Sequence, residues 1–230
     1  MADEFGGIEK RIGVIFSDKN ILKEALTHRS FLNEHQDWPV GHNERLEYLG
    51  DAVTELIITE YLYRKYPTHQ EGELTSFRAA LVNYQMMAVA AREILLEKSL
   101  FLSRGESRDT GKARDVILAN AFEALVGAIY LDQKHAGAAG FIERVLIPHL
   151  SAILELKLYK DPKSLLQEVV QEKKRVTPTY RVLAESGPDH QKNFIVGVFF
   201  GEECVTQGEG TSKQEAESNA ARAALEIMEE

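Results

Sequence analysis

His42-Asn43-Glu44-Arg45-Leu46-Glu47-Tyr48-Leu49-Gly50-Asp51-Ala52-Val53-Thr54-Glu55-Leu56-Ile57 is the stretch on which the reading of this chain turns. At the helical period of about 100° per residue, Glu44, Glu47 and Asp51 fall within an arc of roughly 60°. Leu46, Leu49, Val53, Leu56 and Ile57 fall on the opposite side, so one face can enter a core while the other presents three carboxylates. Like charges at i,i+4 cost about a few tenths of a kcal/mol per pair, and a bound cation reverses that cost. Taken alone, such a stripe is most often the solvated face of an amphipathic helix.

A second stretch changes the balance. From Asp115 to Tyr130 the chain is apolar almost all round, as a buried central helix is, and its interior polar residues are Asn120 and Glu123, with Gly127 one turn further on. An isolated buried carboxylate costs several kcal/mol, so Glu123 calls for a partner. Set against the acidic stripe it makes an oxygen-rich pocket suited to a hard divalent ion such as Mg²⁺.

Asn43 to Asp51 resembles the signature stretch of the bacterial ribonuclease III family, and Ile117 to Tyr130 resembles its second catalytic helix. The resemblance covers essentially the whole chain. It implies that Glu47, Asp51, Asn120 and Glu123 hold the metal and that Asp51 and Glu123 are catalytic, with Glu44 an accessory acid and Glu71 part of the RNA-cleaving valley. It further implies Mg²⁺ as cofactor, with Mn²⁺ as a possible substitute. Asn120 departs from the family, which has an aspartate there; an amide oxygen can ligate, but the site loses a negative charge. Tyr48 stands where the family carries a phenylalanine that inserts into the second subunit of a homodimer. The Leu26 to Phe31 run resembles a segment packing beside the signature helix, with His28 a hydrogen-bonding residue.

The 230 residues have room for one large and one small domain. A net charge of −9 argues at first against nucleic acid as a partner. Part of that acidity is clustered at the expected metal site, however, and net charge says little about local patches. Cys204 is the sole cysteine, so no internal disulfide can form, which suits a reducing cytoplasm. No secretory signal and no apolar run of about 18 residues is visible, so neither secretion nor a membrane location is expected.

Glu34 to Gly41 reads as a loop, the acidic helix is expected to end at Tyr66 before Pro67, and Leu102 to Ala113 reads as a polar, mobile tract. Ala136 to Leu156 reads as a closing helix interrupted near Pro148. The expected organisation is a helical catalytic domain over 1–156, a linker over 157–160, and a second domain over 161–230. In the last, Asp161 and Pro162 open a helix running to Lys174. Strand-like runs follow at Thr179–Glu185, Asn193–Phe200 and Glu203–Gly208, and Ser212 with Glu215 forms a capping box before an alanine-rich helix. This α-β-β-β-α order, with Pro178-Thr179-Tyr180, resembles a double-stranded-RNA-binding domain. That resemblance places RNA contacts on Ser164, Gln167, Glu168 and Gln171 of the first helix, on His190 between the first two strands, and on Lys213 at the start of the last helix. The usual lysine after Lys213 is replaced by Gln214, which predicts weaker, less salt-sensitive binding.

The function expected is a metal-dependent endoribonuclease that cuts double-stranded RNA into products with staggered 5′-phosphate and 3′-hydroxyl ends, in processing of ribosomal RNA and other transcripts. One alternative is a binding-only regulator disabled by Asn120. Another, a di-iron carboxylate bundle, is disfavoured because such bundles use Glu-x-x-His pairs and none of the seven histidines follows a glutamate by three.

Overall fold

The apolar run around Phe122 folds into a long helix, α7 (Gly111–Val145), in which Leu118, Phe122, Leu125, Val126 and Ile129 have no solvent exposure. Burying each such side chain contributes about 1.5–3 kcal/mol, so this helix is the axis of the core. The computed structural model describes residues 5–108, 110–188 and 192–229. Contacts divide the chain into two units, Met1–Tyr159 and Lys160–Glu230.

In the first unit, α4 (Glu44–Lys65) lies along α7 and makes the most extensive helix pair of the unit. It ends at Tyr66, before Pro67, as expected. The helices α5 (Glu71–Leu81) and α6 (Tyr84–Glu93) follow, and α6 also packs on α7. The closing segment follows the sequence reading: beyond a kink at Lys134, where φ is 60°, the second part of α7 runs to Val145, and α8 (His149–Glu155) begins after Pro148, where the interruption is expected. No glycine or proline marks position 134; the break is imposed by tertiary anchors beside it.

Those anchors hold the loop between α1 (Gly6–Ile12) and α2 (Lys19–Ala25). The Asp132 carboxylate accepts from the N–H of Ser17 at 3.1 Å and of Asp18 at 3.0 Å, and Gln133 donates to the Ile15 carbonyl at 2.8 Å. From the other side, buried Glu9 accepts from the Phe16 N–H at 2.6 Å and pairs with the Lys19 ammonium. His28 caps α3 (Arg29–Glu34), accepting from the Ser30 N–H at 3.3 Å through Nδ1, the hydrogen-bonding part expected of it. Leu102 to Ala113 is not simply a free polar loop. Ser103 N–H donates to Ser30 Oγ at 3.2 Å, Arg104 N–H to Glu34 at 3.3 Å, and Glu106–Arg108 forms a 3₁₀ turn.

The second unit comprises α9 (Pro162–Lys174), β1 (Pro178–Ser186), β2 (Asn193–Phe200), β3 (Glu203–Gly210) and α10 (Lys213–Glu229), the α-β-β-β-α order read from the sequence. The sheet is antiparallel in the order β1-β2-β3, with Tyr180 opposite Val198 and an irregularity between Val182 and Ala184. Leu166 and Val170 of α9, Val198, and Ala220, Ala221 and Ala224 of α10 form its core. The last helix carries the expected cap at Ser212, whose Oγ accepts from the Glu215 N–H at 3.2 Å, and the Glu215 carboxylate also accepts from the Thr211 N–H at 2.8 Å. Small residues matter here because a Cβ at Gly208 would lie 2.2 Å from the backbone nitrogen of Ala220 and 2.5 Å from the Ala216 carbonyl oxygen. Gly208→Ala is therefore expected to destabilise the second unit by about 2–3 kcal/mol. The measurement is urea unfolding followed by residue-resolved NMR, in which the second unit's midpoint falls and the helical unit's midpoint does not.

Candidate active site and nucleic-acid surface

Gly50 on α4 and Gly127 on α7 bring the two helices into backbone contact. A Cβ at Gly50 would sit 1.8 Å from the Glu123 carbonyl oxygen, and one at Gly127 would sit 2.3 Å from that of Leu46. Real side chains do not occupy such distances, so each helix is glycine where the other passes. Glycine in a helix interior costs about 0.5–1 kcal/mol relative to alanine, and the close crossing is what offsets it. Three residues before Gly50 and one after it stand Glu47 and Asp51; four before Gly127 stands Glu123, with Asn120 a further turn back. The crossing thus juxtaposes the acids of both helices.

Their electrostatics confirm the juxtaposition. Burial first, then repulsion from Asp51 and Glu47, pushes the Glu123 carboxyl up to about 8. Burial also raises Glu47, with Glu44 and Asp51 adding to it, while a hydrogen bond from the Asn120 amide works the other way. Glu44 is engaged at the rim, 3.1 Å from Arg29 and 3.8 Å from His42 Nδ1. Among the described residues, no three His, Cys, Asp or Glu side chains are gathered tightly enough to hold a metal ion as they stand. The donor set itself fits a hard divalent cation: three half-buried or exposed carboxylates within electrostatic reach of one another, one amide, and carboxylates alone as the charges that shift Glu47 and Glu123.

Glu71 lies elsewhere, in the first turn of α5, exposed and accepting from Thr75 Oγ1 at 3.0 Å. Beside the acids Tyr48 is 83% exposed, and Leu56 and Tyr63 continue an apolar line down the outer face of α4 at 52% and 74%. Leu56 departs from the sequence reading, which put it on the core face; Ile57 and Ile58 fill that place.

In the second unit Ser164, Gln167, Glu168 and Gln171 are all exposed on α9, at the spacing of one helical face, while Leu166 and Val170 are buried. Ser164 Oγ donates to Asp161 at 3.2 Å, and Glu168 is paired with Lys160. Lys213 is exposed at the start of α10, its ammonium 5.7 Å from the centroid of the Phe194 ring, with Gln214 exposed beside it. His190 lies outside the described residues. The sequence reading passed over Gly50. The signal available was a glycine inside a long helix-forming run, which marks a kink or a close approach.

An acid-lined helical unit is followed by an α-β-β-β-α unit, and each matches a family model of its own. Residues 18–150 match the family model described as Ribonuclease-III-like, and residues 162–228 match that of the Double-stranded RNA binding motif. Ribonuclease 3 of Pelotomaculum thermopropionicum is 44% identical over 223 residues, covering 97% of this chain and 92% of that protein. Ribonuclease 3 of Enterococcus faecalis is 42% identical over 221 residues, 96% of each. A crystal structure of the nuclease domain of ribonuclease III from Campylobacter jejuni superposes with a TM-score of 0.57 at 37% identity, covering 65% of this chain and 97% of that one. The chain belongs to the ribonuclease III family, a family of metal-dependent nucleases: it is an endoribonuclease with a double-stranded-RNA-binding domain. The binding-only alternative is not favoured. No helix among the described residues is long and apolar enough to cross a membrane.

Two expectations follow from the site. Gly127→Ala must push α7 from α4, and is expected to destabilise the fold by about 1–3 kcal/mol and to lower cleavage more than RNA binding, read by thermal melting and by parallel binding and cleavage assays. The raised Glu123 carboxyl also has a sign. Below the unfolded value of 4.5 both states are protonated and nothing is lost. As pH rises toward about 8 the unfolded chain has released the proton and the folded one has not, so stability falls. In EDTA, thermal melts from about pH 5 to about pH 9 should show Glu123→Gln increasingly more stable than the parent, and added divalent ion should close that gap.

Proposed function

We propose that the chain is a Mg²⁺-dependent, homodimeric endoribonuclease that hydrolyses double-stranded RNA, each protomer cutting one strand to leave staggered 5′-phosphate and 3′-hydroxyl ends. The observation that carries this reading is that Glu47, Asp51 and Glu123 lie within electrostatic reach of one another across a glycine-mediated helix crossing, and that among the described residues the charges acting on Glu47 and Glu123 are carboxylates.

A divalent ion, Mg²⁺ or in its place Mn²⁺, would be held by Glu47, Asp51, Asn120 and Glu123 and would supply water activation and charge neutralisation at the phosphodiester. The chain's own part is to hold the donors in place. Asp51 and Glu123 stand on the two helices within electrostatic reach of each other, and burial with the Asp51 and Glu47 charges pushes the Glu123 carboxyl up to about 8. Asn120 donates to Glu47 through its amide nitrogen, which leaves the amide oxygen as the neutral ligand. Glu44, paired with Arg29, is proposed as an accessory acid at the rim, and Glu71 on α5 as a separate contact to the RNA strand.

Dimerisation is supported by the apolar line of Tyr48, Leu56 and Tyr63 along α4, and by the Campylobacter relative, which has a region involved in dimer formation. On the second unit Ser164, Gln167, Glu168 and Gln171 are proposed to meet the minor groove and Lys213 a phosphate, with His190 a further contact; such domains read A-form shape in this way. The reading is completed by a cytoplasmic location and processing of ribosomal and other transcripts.

The test is incubation with an end-labelled RNA duplex in Mg²⁺ and in EDTA, reading both binding and product ends. Metal-dependent cutting to short staggered duplexes is expected, with Glu123→Gln binding RNA but failing to cut. Binding without cutting by the parent would point to Asn120. Where the parent cuts, Asn120→Asp is expected to lower the Mg²⁺ requirement by about tenfold. Tyr48→Ala should weaken self-association by about tenfold or more in sedimentation equilibrium, and an unchanged dimer would remove Tyr48 from the interface.

A further inference from the structure

Lys163 differs from its outward-facing neighbours on α9. Its ammonium is ion-paired with Glu217 of α10 and lies 4.7 Å from the centroid of the Tyr180 ring on β1. One cation therefore ties together the first turn of α9, the start of β1 and the first turns of α10. The pair is half-buried, with side-chain exposures of 35% and 27%, so it is less screened than a surface pair. Between α9 and α10 at this end is a cavity of about 370 Å³, lined by Asp161, Ser164, Gln167, Tyr180, Gln214 and Lys163 itself. Lys163 lies on the wall of this cavity, and its ion pair with Glu217 joins α9 to α10 beside it. The Tyr180 hydroxyl is buried with no hydrogen-bond partner among the described residues, and burial together with Asp161 and Glu217 pushes its pKa up to about 12. The phenol thus stays neutral and offers Lys163 its ring face rather than a charge.

We propose that the Lys163–Glu217 pair, seated on the Tyr180 ring, is a positioning strut that sets the distance between the outward face of α9 and the start of α10, and with it the preference for A-form over B-form duplexes. This rests on the double-stranded-RNA reading given above. Shape recognition of a duplex needs one contact in the minor groove and another on phosphates across the intervening major groove, held at a fixed separation. Ser164, Gln167 and Gln171 are exposed on α9 and Lys213 at the start of α10, the two helices that the pair joins. Lys163, its charge already engaged by Glu217, contributes spacing rather than counterion release.

The experiment uses the full chain in EDTA, with RNA and DNA duplexes of one sequence, and measures affinity over a range of salt concentrations. The variants are Lys163→Met, Glu217→Gln and the charge-exchanged double variant K163E/E217K. Lys163→Met and Glu217→Gln are each expected to reduce the RNA-over-DNA preference by about tenfold. The salt dependence should be unchanged, whereas loss of a phosphate contact lowers the slope by about 0.9. The charge-exchanged variant should recover most of the preference.

A shallower salt slope in Lys163→Met would make Lys163 a phosphate contact and overturn the proposal. So would an unaltered preference in the single variants, or a charge exchange that folds but restores nothing. If circular dichroism shows that all three variants fail to fold, the pair is a folding element and the proposal is likewise overturned. A parent protein that binds RNA and DNA duplexes equally would instead remove the double-stranded-RNA reading, and the strut with it.

Discussion

Backbone contact between α4 and α7 at Gly50 and Gly127 is the constraint on which the first unit depends. Packed helices ordinarily stand about 8–10 Å apart, held off by their side chains. Here the side chains are missing at the crossing, and the ridge of one helix meets the carbonyl oxygens of the other. The flanking apolar residues, Leu46 and Val53 on α4 with Leu118 and Phe122 on α7, are then buried as part of one core. Because the obstacle to a larger residue is a carbonyl oxygen and not a side chain, trimming a neighbour cannot make room. A substitution at Gly50 has no complementary substitution on α7.

That packing holds together groups that repel one another. The folded chain accommodates this in three ways: a proton retained on Glu123, Arg29 engaged with Glu44 at the rim, and the Asn120 amide donating to Glu47. Asn120 acquires a physical meaning in this setting. A fourth carboxylate would add repulsion to a half-buried cluster, whereas the amide removes one charge and returns a hydrogen bond to a remaining acid. The same exchange leaves less negative charge to attract a cation, so ease of folding and avidity for metal are set against each other at one position.

Much of this was legible in the sequence and some was not, for identifiable reasons. The acidic stripe, the apolar helix and the α-β-β-β-α order all follow from periodicity and turn residues, which record which face of an element is apolar. Periodicity carries no distances, so it could pair the two helices without revealing how closely they pass, and Gly50 went unread. It also misplaced Leu56, which lies at the edge of the apolar arc and turns outward beside Tyr48. The kink at Lys134 has no local breaker; it is set by residues 132 and 133 gripping a loop more than 100 positions earlier in the chain. Burial of Glu9 was invisible for a similar reason, since an acid in a short helix reads as solvated until its partners at Phe16 and Lys19 are known.

The same loop has a consequence for how the protein moves. Phe16, Ser17 and Asp18 lie outside any helix or strand, yet their consecutive N–H groups are bound by carboxylates, Glu9 from one side and Asp132 from the other. Hydrogen bonds to charged acceptors are roughly twice as strong as neutral ones. Releasing any of these amides to solvent requires movement of α1 or of the kinked end of α7, not fraying of a turn. In hydrogen exchange the segment should behave as part of the helical core, opening with it and not before it. α1 is thereby coupled to the kinked stretch of α7 through three consecutive backbone amides, one held by Glu9 and two by Asp132.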